Sequence, residues 1–347
     1  MNRNAFITAA AVMAVLTPLA ACSNSKPADT PTESSAAAPA SGPAASSVAA
    51  PAKATKNYNI QFVQGVAGDE FYISMQCGAQ AEAAKLGVTL KTQGPQKFDP
   101  TLQKPILDAV SAAKPDAILI APTDVTAMQK PLEVAAQNGS KVVLVDTTVT
   151  DPSFATSAIA SDNEGGGKAA FEAIKKLKPS GGKVMIMSVD PGISTTDARA
   201  KGFEDAVKAD SSFKYLGVQY SHNDPATASN LISSALQKDP DLVGVFAANL
   251  FSAEGTATGI RQAGKNSQVA VVGFDAGPNQ IKALKEGTVQ ALVAQQPATI
   301  GAYGVDEAVA ALDGGTVTPK VQTGFTVIDK DNVDSAEGQA AAYQSKC

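Results

Sequence analysis

From Asn57 onward, short runs rich in β-branched residues alternate with longer amphipathic stretches, and this alternation restricts the chain to α/β architecture, a parallel sheet joined by crossover helices. The runs are Asn59–Val63, Val88–Thr92, Ala117–Ala121, Lys141–Asp146, Lys183–Ser188, Tyr215–Tyr220, Leu242–Ala247, Val269–Phe274 and Gln290–Ala294, with a last one at Thr323–Ile328. Helical spacing falls between them at Phe71–Leu86, Thr101–Ala113, Ala127–Asn138, Gly166–Leu177, Thr196–Ala209, Thr227–Gln237, Ala253–Ala263 and Ile300–Leu312. Gly87, Gly139 and Gly264 sit just past three of these helices, where a left-handed cap is expected. So many runs exceed what one compact doubly wound sheet usually holds, and two lobes of similar topology are the natural division.

Ahead of this pattern, Met1-Asn2-Arg3-Asn4, an apolar stretch from Ala5 to Leu19 and then Leu19-Ala20-Ala21-Cys22 read as a bacterial lipoprotein signal, residues 1–22, with Cys22 as the lipidated residue. The competing reading is an ordinary cleaved secretion signal with an incidental cysteine. Residues 23–56 are rich in Ala, Ser, Pro and Thr, with Val48 the only larger aliphatic residue, and such a segment buries too little surface to offset its chain entropy. It reads as a disordered tether of ~30 Å reach. The expected location is extracytoplasmic, lipid-anchored to the cell membrane.

About 290 residues remain beyond the tether, enough for an ample core. The formal charge is −5 and there is no basic block, which argues against nucleic acid as a partner. With Cys22 assigned to lipid, Cys77 and Cys347 are left either to pair in an oxidising compartment or to stay as two thiols. No catalytic constellation can be assembled: His222 is the only histidine, so a metal site built on two histidines is excluded, and no cofactor or metal is expected. Gly165-Gly166-Gly167-Lys168-Ala169 lacks the leading glycine and the trailing Ser/Thr of a phosphate loop and reads as a tightly packed helix start. His222 reads as a surface turn residue.

In open α/β sheets, ligands bind beyond the carboxyl ends of the strands. The polar residues there include the stretch from Gly65 to Tyr72, Asp146-Thr147, Ser188 to Thr196, His222 to Asp224, Asn249, Asp275 and Gln295. Around them, Phe71-Tyr72-Ile73-Ser74-Met75, Pro122-Thr123-Asp124, Ile159-Ala160-Ser161-Asp162-Asn163, Asp197-Ala198-Arg199-Ala200-Lys201-Gly202-Phe203, Val245-Phe246-Ala247-Ala248-Asn249 and Val271-Val272-Gly273-Phe274-Asp275 appear in order. In these stretches the chain resembles the periplasmic sugar-binding proteins of the ribose-binding type, the solute receptors of ABC importers. The resemblance implies a type I, two-lobed periplasmic-binding-protein fold with a three-crossing hinge. The first lobe would be residues 57–161 plus 296–324 and the second 162–295 plus 325–347. It further implies that the chain is not an enzyme and is a monomer, and that its partner is an ABC permease.

Carried over residue by residue, the family's ligand contacts fall on Asp69, Phe71, Tyr72 and Asp146 in the first lobe, and on Arg199, Asn249, Phe274, Asp275 and Gln295 in or near the second. The chemistry suits a polyhydroxylated solute, because a hydroxyl both donates and accepts, and carboxylates, a guanidinium and amides together answer both roles. Each residue also has a plainer reading: the aspartates as turn or cap residues, the phenylalanines as core, and Arg199 as a surface partner of Asp197 or Glu204. Ribose binders end the first strand with a serine and follow with Asn-Pro-Phe-Phe, where this chain has Gly65 and Asp69-Glu70-Phe71-Tyr72. Their arginine after the strand-end aspartate is Thr147 here, and a second-lobe aromatic falls on about Asn223. Losing a cation and a stacking face points to a small neutral polyol, a sugar alcohol of four or five carbons, with a pentose or other monosaccharide (ribose-, xylose- or galactose-like) as the competitor. A sensor that presents its closed form to a signalling receptor would use the same site. Repressors sharing the fold carry an N-terminal helix-turn-helix domain, which a signal and tether replace here.

Overall fold

The computed structural model describes Ser46 and residues 48–347; the signal with Cys22, and residues 23–45 and 47 of the tether, lie outside the described residues. The first part of the chain runs β1 (Asn59–Val63), α1 (Glu70–Leu86), β2 (Thr89–Gln93), α2 (Pro100–Ala112), β3 (Ala117–Ile120), α3 (Gln129–Gln137), β4 (Lys141–Val145) and β5 (Ser157–Ser161). The middle part runs α4 (Asn163–Leu177), β6 (Gly182–Ser188), α5 (Ser194–Lys208), β7 (Phe213–Tyr220), α6 (Pro225–Lys238), β8 (Leu242–Ala247), α7 (Leu250–Gln262), β9 (Ala270–Phe274), α8 (Pro278–Glu286) and β10 (Ala291–Ala294). The chain then returns through α9 (Pro297–Leu312) and β11 (Lys320–Thr323), and ends with β12 (Thr326–Asp329) and α10 (Ala336–Ala341).

These strands form two six-stranded sheets, ordered β11-β5-β4-β3-β1-β2 and β12-β10-β9-β8-β6-β7. Every pairing is parallel except that of β10 with β12. The chain passes between the lobes after β5, after β10 and between β11 and β12. Central strands are buried end to end, as in β3, β9 and β10, because helices cover both faces of each sheet. A crossover helix begins beyond the carboxyl end of the strand it follows, so Asp69, Asp99, Asp162, Asp224 and Asn249 cap helices on the side that faces the cleft.

Within each lobe, glycines let helices touch backbone to backbone. A Cβ on Gly78 of α1 would collide with Ala298 O of α9, and one on Gly301 of α9 with Met75 O of α1. In the second lobe Gly167 of α4 meets Arg199 O of α5, and Gly202 of α5 meets Glu164 O of α4. The glycine run at 165–167 is therefore a packing device.

Several elements differ from the expectation. The run at Thr323–Ile328 is two strands in different sheets, broken at Gly324-Phe325 where the chain changes lobe. The tether is fixed before Asn57: Ala54 N–H donates to Leu86 O at 3.0 Å, and Thr55 N–H donates to the Asp313 carboxylate at 3.1 Å. Ser46 N–H likewise donates to Gln322 O at 2.8 Å. The tail does not belong wholly to the second lobe. β12 pairs with β10, but Gln344 N–H donates to Ser74 Oγ of α1 at 2.7 Å, and Cys347 is disulfide-bonded to Cys77 of α1. Among the described residues, no helix is long and apolar enough to cross a membrane.

Candidate functional site

Between the lobes lies a cavity, with about 410 Å³ of space free of protein atoms including its opening to solvent, lined from one side by Asp69, Phe71, Tyr72, Phe98 and Asp146, and from the other by Val189, Ile193, Thr195, Thr196, Arg199, Asn223, Asn249 and Asp275, with Gln295 at the hinge. The lobes are closed on each other. At the cleft mouth, Val125 N–H donates to Gly192 O at 3.0 Å and Thr148 N–H to Ser194 Oγ at 2.9 Å.

The two aspartates that follow β4 and β9 occupy equivalent places in the two lobes. Asp146 and Asp275 both have positive φ, 66° and 77°, a conformation that costs an L-residue about 1 kcal/mol or more. That turn swings each carboxylate off its strand and into the cleft. Their surroundings differ. Asp275 is held by three donors: Leu250 N–H at 3.0 Å, Gln295 Nε2 at 2.7 Å and Tyr343 OH at 3.0 Å. Asp146 accepts only from Tyr72 OH, at 2.7 Å, among the described residues. Burial pushes the Asp146 carboxyl up to about 6, against the opposing pull of Arg199 and the Tyr72 bond.

Asp69 is the N-cap of α1 and accepts from Phe71 N–H at 2.8 Å. Its carboxyl is raised well above the ordinary range, first by burial and then by the negative charge of Asp275. Arg199 is 2% exposed. Its Nε donates to Asn163 Oδ1 and its Nη1 to Ala248 O, both at 2.8 Å, and its guanidinium lies 3.7 Å from the Phe274 ring centroid. These contacts use two of five donors, leave the others to the cavity, and fix the plane of the group. Asn249 caps α7 and donates from Nδ2 to Asn223 Oδ1 at 2.6 Å. Gln295 accepts from Ser161 Oγ at 2.8 Å, which ties one chain crossing to another.

Of the sequence-expected residues, Asp69, Phe71, Tyr72, Asp146, Arg199, Asn249, Asp275 and Gln295 are brought to this cavity. Phe274 is not on its wall. It is fully buried between Phe246 and the start of α4, because strand alternation turns it to the face opposite Asp275, and it serves as the platform beneath Arg199. His222 lies outside and pairs with Asp190 at 2.6 Å on the surface.

Sequence reasoning missed Phe98 as a cavity-lining residue; it marked Ser188 to Thr196 as a strand-end stretch without singling out Val189, Ile193, Thr195 and Thr196, which line the cavity. The signal for Phe98 was present: a lone aromatic in the polar loop Gly94-Pro95-Gln96-Lys97-Phe98-Asp99 beyond a strand end. Gly65 is explained here as well, since a Cβ at that position would collide with Tyr72 OH and with the Phe98 ring. No group of three or more His, Cys, Asp or Glu side chains is placed to hold a metal ion among the described residues.

The family model for the periplasmic binding protein domain matches residues 60–316. The ribose import binding protein of Escherichia coli (strain K12) is 34% identical over 271 residues, covering 78% of this chain and 90% of the relative. The D-allose-binding periplasmic protein of the same organism is 30% identical over 257 residues, covering 72% and 83%. A solved ABC-transporter solute-binding protein from Agrobacterium vitis, bound with α-D-tagatopyranose, superposes with a TM-score of 0.82 at 41% identity, covering 83% of this chain and all of that one. One from Agrobacterium radiobacter, in complex with D-arabinose, gives 0.79 at 28% identity, covering 83% and 99%. These relatives bind and deliver solutes and are not enzymes. By the span of the family match and the identity to the ribose binders, this chain belongs to the periplasmic binding protein family, as a ribose-type sugar-binding protein of ABC import.

Proposed function

We propose that the protein captures a small neutral polyol between its lobes, a sugar alcohol of four or five carbons, and delivers it to an ABC permease. The observation that carries this reading is the donor and acceptor balance of the cavity. Three carboxylates, Asp69, Asp146 and Asp275, face one guanidinium, Arg199, with Asn249, Gln295 and the hydroxyls of Thr195 and Thr196 around them. An anionic solute meets excess negative charge in such a site, whereas a ligand with many hydroxyl donors relieves the under-bonded Asp146. Tyr72 and Phe98 crowd the first-lobe wall, which favours a short flexible chain.

A monosaccharide ring is the second reading, supported by the ligands of the similar proteins: α-D-tagatopyranose at 41% identity, D-arabinose at 28%, and ribose and allose among the relatives. In either case the ligand stabilises the closed form by contacting Asp146 of one lobe and Arg199 and Asp275 of the other, since a solute touching one lobe alone shifts no equilibrium. We further infer that Cys22 is lipidated and keeps a monomeric receptor close to its permease, which raises effective concentration without new contacts. Loss of membrane association in a Cys22→Ser variant tests the anchor.

Calorimetric titration of ligand-stripped protein against four- and five-carbon alditols, pentoses, tagatose and allose tests the ligand. Saturable one-to-one binding of an alditol with none of the sugars supports the first reading. Binding of the sugars alone replaces it with the second, and silence across the set refutes both.

A further inference from the structure

After α10 the chain leaves the second lobe and crosses to the first. Tyr343 N–H donates to Ala276 O at 2.9 Å, and its ring lies 5.9 Å from that of Phe71. Its phenol is a two-sided contact, accepting from Gln295 N–H at 2.9 Å and donating to Asp275 Oδ1 at 3.0 Å. The side chain is 6% exposed and is not on the cavity wall. One residue on, Gln344 N–H reaches Ser74 Oγ of α1, and three further on Cys347 is covalently joined to Cys77 on the same helix. The helix that receives the tail also carries Phe71 and Tyr72, and its N-cap is Asp69.

We propose that residues 343–347 form a strap, a fourth connection between the lobes in addition to the three chain crossings, in which Tyr343 is a positioning residue for Asp275 and the Cys77–Cys347 bond limits how far α1 can swing from the second lobe. The three crossings are single passes of backbone. The strap differs in that both its ends are fixed: one by the pairing of β12 in the second sheet, the other by a covalent bond to the first lobe. It passes behind the ligand cavity, so its phenol orients a carboxylate it does not compete with for ligand. The affinity arm of the test rests on the proposed ligand reading, and the other arms do not.

The experiment uses ligand-stripped mature protein with Tyr343→Phe, and separately Cys77→Ser with Cys347→Ser. Small-angle scattering of the ligand-free forms should show a larger radius of gyration for the serine pair than for wild type. Amide exchange should show faster exchange of Gln295 N–H in Tyr343→Phe with β3 amides unchanged. For whichever solute wild type binds, Tyr343→Phe should lose affinity severalfold because Asp275 is no longer held in place, and its melting temperature should fall by a few degrees because Gln295 N–H and Asp275 each lose a buried partner. Identical scattering with and without the disulfide, together with unchanged Gln295 exchange, would overturn the strap. Failure of wild type to bind any solute would refute the ligand reading and leave the scattering and exchange results to decide the strap by themselves.

Discussion

Replacing Asp146 by Asn should move stability and affinity in opposite directions. The carboxylate is 5% exposed, its one protein donor is Tyr72 OH, and burial raises its pKa to about 6. For an acid whose native pKa lies above the unfolded value, the native state holds the extra proton between the two, so stability is lost as pH rises from about 4 to about 6 and levels off above that. At pH 7.5 that loss is about 3 kcal/mol, and an amide, which never ionises, avoids it. The ligand-free Asn variant should therefore melt several degrees above wild type at pH 7.5, at ~2–3 °C per kcal/mol, and by about half as much at pH 5, where the unfolded carboxyl is already ionised and the native one is not. Binding should go the other way. Asn can satisfy Tyr72 or turn its oxygen to the ligand, but either choice forfeits a charge-assisted bond of ~1.5–3 kcal/mol, which is a ten- to hundredfold loss of affinity. Wild-type affinity should also fall as pH drops below about 6, because a proton then competes with ligand hydroxyls for the same oxygen, and the variant should lose the part of that dependence that belongs to Asp146. Calorimetry and thermal melts at pH 5, 6 and 7.5 read all of this. Affinity within threefold of wild type, or a variant less stable at pH 7.5, would refute the reasoning.

Gly65→Ser should force Tyr72 and Phe98 aside and weaken ligand binding severalfold with little change in melting temperature, since both obstructing groups are side-chain ends; calorimetry beside a melt separates the two effects. Gly167→Ala should cost ~1–3 kcal/mol of stability, read by denaturant unfolding, because its Cβ meets the Arg199 carbonyl and helix backbones cannot yield cheaply. Asp306 of α9 has its carboxyl pushed up to about 7 by burial and by Glu82, with Oδ1 unpartnered, so wild type loses stability as pH rises through 7. Asp306→Asn should flatten that slope and be the more stable protein by ~1 kcal/mol or more at pH 8, which urea titrations at pH 5 and 8 would show.

Much of this was legible in the sequence because the parallel sheet writes its strands as β-branched runs and its ligand side as polar residues at their carboxyl ends. Asp146 and Asp275 are the clearest instances, each directly after a fully apolar run. What was lost has specific causes. β5 and β11 are built from Ser, Ala, Lys, Gln and Thr with few branched residues, since β11 is an edge and β5 lies beside it, so neither stands out as a run. α8 is nine residues long and begins at Pro278, too short for periodicity to show. Phe274 lies off the cavity wall and Phe98 lies on it for geometric reasons. A family pattern places a residue at the end of a strand, but which face its side chain takes depends on alternation, and a loop aromatic such as Phe98 leaves no periodic trace.

The paired glycines that bring α1 against α9 and α4 against α5 leave no layer of side chains along those seams to compress or re-pack. A lobe built this way has few soft internal modes at its principal helix contact, so free energy released by a solute in the cleft has little to deform except the angle between the lobes. A surface far from the solute then reports occupancy as sharply as the cleft itself, and whatever reads that surface meets two discrete shapes instead of a graded series.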